Sequence, residues 1–182
     1  MKQRHEIRIA GTGGQGVVTA GRLLAEAAIL SGHHATHSQA YGPQSRGGAS
    51  RSDVVVSDGE IGFPLVDSIG VFIALTGEAH DRYRGEVGGQ ARIIIDEGAA
   101  AKCGPIDVDH DVLAVVDTAR SISGGVLIAG VVALGVVQGL EQVVDTDALT
   151  EAVAAGVPAR FRDMNLEALY AGMVLTGAVV PS

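Results

Sequence analysis

Residues 7–22 read Ile-Arg-Ile-Ala-Gly-Thr-Gly-Gly-Gln-Gly-Val-Val-Thr-Ala-Gly-Arg, a short apolar strand that runs into a glycine-rich turn with a helix opening behind it. Gly11, Gly13 and Gly16 have the G-x-G-x-x-G spacing of a phosphate-cradling loop. In such a loop the first glycine permits a tight turn, the second lets backbone approach a ligand, and the third allows close packing of helix on strand. Amides at the helix start carry partial positive charge, which favours an anion there. The motif fixes a local structure more firmly than it fixes a ligand.

Outward from this loop, strands and helices alternate. The spacing of Val17, Ala20, Leu24, Ala27 and Ala28 predicts a helix over 15–31, ended by Gly32. A weakly patterned strand follows within 34–40, then a loop over 41–50 that is rich in Gly, Pro and Ser. Residues 51–57 read as a strand, and Asp58-Gly59 as a hairpin turn that returns 60–63 as its antiparallel partner. Three apolar runs of strand length follow at 69–75, 92–96 and 112–116. A long apolar helix is expected over 119–140, with two more near 146–156 and 163–176. The expected fold is a single three-layer α/β/α domain over 1–182, Rossmann-like, with a mostly parallel sheet plus the antiparallel hairpin.

Composition narrows the function. The chain has 182 residues, 47% of them hydrophobic and 19% charged, which suits one globular domain. Its net charge of −8 opposes nucleic-acid binding, which needs a basic field to displace counterions. Cys103 is the only cysteine, so the chain can form neither an internal disulfide nor a cluster held by four thiolates. A reducing cytoplasm is the expected compartment, and the charged start shows no signal-peptide pattern. The uncharged run between Arg120 and Glu141 carries five glycines, Ser121, Ser123 and Gln138, so it reads as a buried helix rather than a membrane span.

Several chemistries can be weighed. A dinucleotide site should place an acidic residue at the end of the second strand to bind ribose. No Asp or Glu occurs between Glu26 and Asp53, so another anion, or packing against a neighbouring chain, fits the glycine loop better. Arg46-Gly47-Gly48 supplies a planar guanidinium suited to carboxylate or phosphate, in a position where strand ends form a crevice. His33 and His37 would share a strand face but stand about 13 Å apart, too far for one metal ion. Cys103 beside Lys102 reads as an ordinary loop cysteine, and the pairs Asp107/Asp109 and Asp145/Asp147 as solvated charges. No self-sufficient catalytic set emerges.

Taken together, several segments resemble one family. They are Gly-Thr-Gly-Gly-Gln-Gly-Val at 11–17, Tyr-Gly-Pro-Gln-Ser-Arg-Gly-Gly-Ala at 41–49, Ile-Gly-Phe-Pro at 61–64 and Asn-Leu-Glu-Ala-Leu-Tyr-Ala-Gly at 165–172. The family is the gamma subunit, or gamma-type domain, of 2-oxoacid:ferredoxin (acceptor) oxidoreductases, which act on pyruvate, 2-oxoglutarate, 2-oxoisovalerate or indolepyruvate. The resemblance implies a subunit of an enzyme that oxidatively decarboxylates a 2-oxoacid to its acyl-CoA and passes electrons to ferredoxin. It implies alpha-, beta- and delta-type partners that hold thiamine diphosphate, Mg2+ and iron–sulfur clusters, with no cofactor bound by this chain alone. It places Gly11, Gly13, Gly14, Gln15, Gly16, Arg46, Gly47 and Gly48 at the region that contacts partners and coenzyme A, with no catalytic residue and no membrane or nucleic-acid partner. A stand-alone nucleotide- or dinucleotide-binding oxidoreductase and a non-catalytic α/β scaffold are the competing readings.

Overall fold

The structure, a computed structural model, describes residues 4–41, 48–104, 106 and 108–178. The strands are β1 (Arg4–Thr12), β2 (His34–Tyr41), β3 (Ala49–Ser57), β4 (Val71–Ala74), β5 (Arg92–Asp96) and β6 (Asp111–Leu113). The helices are α1 (Val17–Leu30), α2 (Gly77–Tyr83), α3 (Glu97–Ala100), α4 (Val115–Ser123), α5 (Ala129–Glu141), α6 (Thr146–Gly156) and α7 (Arg162–Leu175). The strands form one sheet in the order β2-β3-β1-β4-β5-β6. β1, β4, β5 and β6 pair parallel in succession, whereas β3 runs antiparallel to both β1 and β2. The mostly parallel α/β architecture is as expected.

The antiparallel element is a different one, however. Residues 60–63 form no strand, because both edges of β3 are already taken. β1 pairs with it from Arg4↔Ser57 to Thr12↔Ala49, and β2 from His34↔Ser57 to Tyr41↔Ser50. The chain after Asp58-Gly59 instead crosses the lower end of the sheet. There the Glu6 carboxylate accepts from the amides of Asp67 and Ser68 at 2.6 and 2.7 Å, and the Thr36 hydroxyl donates to the Pro64 carbonyl at 2.7 Å.

Two further expectations change. The strand at 112–116 shrinks to β6, since Val115 and Val116 form the first turn of α4, held by a 2.8 Å bond from the Val116 amide to the Asp96 carboxylate. The apolar stretch 119–140 is two helices, because Gly124 turns left-handed at φ 71° and stops α4 before α5 begins at Ala129. Helix α1 starts at Val17 rather than 15. Helices α2 and α3 carried a readable signal in their N-caps: Thr76 and Asp96 accept from the amides of Ala79 and Ala99, each at 3.2 Å.

One face of the sheet buries Ile7, Ile9, Val54, Val56, Val71, Ile73 and Ile94 under α1 and α4–α7. Within that layer α5 and α7 touch at Gly135 and Gly172. A Cβ on Gly135 would strike the Leu169 carbonyl and one on Gly172 the Val132 carbonyl, so two glycines let the backbones meet. The other face has a thinner cover, α2 and α3, over Ala10, Phe72, Ala74, Ile93 and Ile95. Among the described residues no helix is long and apolar enough to cross a membrane.

Candidate functional site

Parallel pairing of β1, β4, β5 and β6 gathers their carboxyl ends along one edge of the sheet. Register brings the end of β1 beside the start of β3, with Thr12 opposite Ala49 and Gly11 opposite Ser50. Hence the glycine loop and Gly48, the residue before β3, lie at the same edge. Arg46 and Gly47 lie outside the described residues; Gly48 is half-buried just before β3.

The glycine loop divides its residues between two tasks. A Cβ on Gly11 would run into the Gln15 side chain. That buried side chain turns inward, and its Oε1 accepts from the Thr12 amide at 2.8 Å and the Thr12 hydroxyl at 3.3 Å. Gly16 takes φ 72° as the N-cap of α1, and a Cβ there would strike the Leu127 carbonyl. The Gly130 amide donates to the Gln15 carbonyl at 2.7 Å, so α1 and α5 start locked together. Gly16 therefore permits helix-on-helix rather than helix-on-strand contact.

Gly13 and Gly14 behave differently. Both are exposed, and a Cβ on either would meet nothing within 4 Å. They border the first turn of a 14-residue helix that has no side-chain cap and no acidic residue in that turn. Such an end can receive an anion, since its first amides lack partners within the helix. Leu127, 66% exposed, stands next to this loop.

Behind the edge lies an ionic cluster that sequence reading missed. Arg8 grips Asp53 with two bonds of 2.7 and 2.9 Å and reaches Glu86 at 2.6 Å. Arg51 reaches the same Glu86 at 2.7 Å. Both guanidinium groups stand over the Tyr83 ring, 5.5 and 5.3 Å from its centre. The Tyr83 hydroxyl donates to the Ala49 carbonyl at 3.4 Å, at the first residue of β3. Burial works against the Arg8 charge, but Asp53 and Glu86 outweigh it and raise its pKa. Burial would likewise raise Glu86, yet bonds and charge from Arg8 and Arg51 hold it below the usual carboxylate range. The available signal was an Arg set between two isoleucines in a strand, where burial demands a partner. At the end of β5, burial pushes the Asp96 carboxyl up, against the bonds it accepts from Val116, Ala99 and Gly98.

The remaining candidates take structural places. His37 Nε2 and Ser52 Oγ stand 2.7 Å apart, but Ser52 is fully buried beneath Gly21, where no substrate reaches it. Burial, then Arg22, lowers the His37 pKa. His33 precedes β2 and pairs with Asp58 at 3.1 Å. Among the described residues no three His, Cys, Asp or Glu side chains group to hold a metal ion. Cys103 follows α3, half-buried, with its Sγ donating to the Ala100 carbonyl at 3.5 Å. Asp145 sits at the N-cap of α6 and Asp147 in its first turn; Asp109 is exposed, and Asp107 lies outside the described residues.

Comparison with known proteins agrees with this fold. The family described as pyruvate ferredoxin/flavodoxin oxidoreductase matches residues 6–175. The 2-oxoglutarate synthase subunit KorC of Methanocaldococcus jannaschii is 33% identical over 175 residues, covering 94% of either chain. Its counterpart in Methanothermobacter thermautotrophicus is 36% identical over 179 residues, covering 94% of this chain and 95% of its own. The gamma subunit of keto/oxoacid ferredoxin oxidoreductase from Geobacter sulfurreducens superposes with a TM-score of 0.84 at 36% identity, covering 96% of this chain and 97% of that one. This chain belongs to the pyruvate ferredoxin/flavodoxin oxidoreductase family.

Proposed function

We propose that the chain is the gamma-type subunit of a multi-subunit 2-oxoacid:ferredoxin oxidoreductase, folded as one domain over 1–182 and working in the cytoplasm. The observation that carries this reading is the end-to-end match to relatives that are themselves single subunits of such enzymes. On this reading alpha-, beta- and delta-type partners hold thiamine diphosphate, Mg2+ and iron–sulfur clusters, and ferredoxin is met through the complex. The 2-oxoacid is decarboxylated there and leaves as an acyl-CoA. This chain contributes no reacting group.

Its contribution is the carboxyl edge of the sheet. Gly11, Gln15 and Gly16 shape the loop from within, while Gly13 and Gly14 leave its outer side open at the uncapped start of α1. A phosphate of coenzyme A suits that start, and Arg46, Gly47 and Gly48 are the further residues assigned to the same contact. In the reconstituted complex, Gly13→Asp sets a carboxylate where the anion would sit. The expected result is a raised requirement for coenzyme A with an unchanged melting temperature, while Gly13→Ala is tolerated. Arg46→Ala should weaken assembly or raise the same requirement. Variants that assemble and use coenzyme A normally remove these residues from the site. Turnover of a 2-oxoacid by the chain alone would overturn the subunit reading. Saturable binding of a nicotinamide cofactor would favour the stand-alone oxidoreductase, against which the absence of any Asp or Glu between Glu26 and Asp53 already counts.

A further inference from the structure

β1 and β4 lie side by side and parallel, but the chain leaves them on opposite faces of the sheet. β1 hands over to α1, which packs with Ile7 and Ile9, and β4 to α2, which packs with Phe72 and Ala74. Where outgoing chains part in this way, a crevice opens beyond the carboxyl ends of the strands. At its base the Leu75 amide donates to the Ala10 carbonyl at 2.8 Å, and a Cβ on Gly11 would lie 3.3 Å from that of Leu75. Gly13 and Gly14 follow β1 on one side, and Thr76 and Gly77 follow β4 on the other.

A third segment is brought to the second side. A Cβ on Gly77 would lie 3.2 Å from the Cys103 amide nitrogen and 3.3 Å from the Lys102 carbonyl carbon, so the chain leaving α3 passes against the first residue of α2. Its course is fixed: the amides of Lys102 and Cys103 both bond to the Ala99 carbonyl, at 2.9 and 3.0 Å, and Asp96 caps α3. Lys102 itself is exposed. Every described arginine has an ion pair, a hydrogen bond or an aromatic ring as its partner, whereas Lys102 has none among the described residues. Glu78 and Glu97 are exposed in the first turns of α2 and α3, at the same end of the sheet, and Lys102 pairs with neither.

We infer that Lys102 is a further binding residue for coenzyme A, taking the phosphate on its ribose while the diphosphate rests at the start of α1. This rests on the glycine loop being a coenzyme A contact. Coenzyme A carries its diphosphate and its ribose phosphate on one sugar, so a molecule laid across the crevice presents an anion to each side. The diphosphate suits the loop, where backbone can approach it closely. The ribose phosphate is compact, and a lysine meets it as a point charge on a flexible stem, without the fixed fork of an arginine. A cation already paired within the chain would first have to leave its partner, and Lys102 has none to leave.

The test uses the reconstituted complex. Lys102→Gln should raise the KM for coenzyme A about tenfold and leave kcat unchanged, since the ribose phosphate lies at the opposite end of coenzyme A from its thiol. Lys102→Arg should restore most of the affinity. With dephospho-coenzyme A, which lacks the ribose phosphate, the unaltered and Lys102→Gln complexes should share one KM. An unchanged KM for coenzyme A in Lys102→Gln, an equal rise with dephospho-coenzyme A, or a complex that no longer assembles would each overturn the proposal. If Gly13→Asp raises the coenzyme A requirement and Lys102→Gln does not, Lys102 alone leaves the site. If neither does, the coenzyme A reading of the loop falls as well.

Discussion

Along β1, Ile7 and Ile9 point into the apolar layer under α1 and α4–α7, while Arg8 between them points into the opposite face and binds Asp53 and Glu86. Both environments exclude water: Ile7 and Ile9 are fully buried and Arg8 is 3% exposed. The apolar face gains from area removed from water and forgives changes that keep volume. The ionic cluster is intolerant of single losses, since removal of one partner strands the others in a dry site. That cluster also clamps α2 against β1 and β3 below the chain entering at Ala49, which leads back to the candidate site. The thinner face thus depends on geometry where the thicker one depends on bulk.

The largest expected effect breaks the ionic side. Arg8→Ala should cost about 3 kcal/mol in chemical denaturation, because buried Asp53 keeps only the longer 3.4 Å contact to Arg51. The double variant Arg8→Met/Asp53→Leu should recover most of that loss. If the two substitutions are simply additive, the pair is not acting as a unit. On the apolar side, Leu134→Ala, at a fully buried position of α5, should cost about 3 kcal/mol through the cavity it leaves. Gly172→Ala should cost about 2 kcal/mol by forcing α7 away from the Val132 carbonyl; unchanged stability would show that α5 and α7 can part freely.

The smallest effect is pH-dependent. Glu86 is held below its ordinary pKa when folded, and its side chain is half exposed, so solvent screens much of its attraction. A depressed carboxylate adds stability above its unfolded pKa and loses it as pH falls through the folded value. Glu86→Gln should therefore cost at most about 1 kcal/mol near neutral pH, with the gap from the unaltered protein closing in acid below about pH 4. A gap that widens in acid would mean that burial, not the arginines, governs this group.

What was legible in the sequence was local. The strand–glycine–helix passage at 7–22 and the β5 run were readable because three or four neighbouring residues decide each of them. Asp58-Gly59 has the right chemistry for a hairpin, but β3 had already spent both edges on β1 and β2, which no local pattern reports. Val115 and Val116 look like strand, yet a carboxylate about 20 residues earlier, on Asp96, caps them into a helix. At the candidate site the spacing found the loop. It could not tell that Gln15 faces inward while Gly13 and Gly14 face out, since that division depends on where Leu127 and Gly130 lie.

The sequence by itself determined the alternation of strands and helices, the glycine loop and, through segments scattered along the chain, the family. Backbone preference and hydrophobic period act over a few residues, so they survive without a fold around them. Only tertiary structure decided which strand runs against the others, which arginine is buried with which carboxylate, and which glycines pack and which stay open. Each of those outcomes is a competition between distant groups for one edge, one charge or one space.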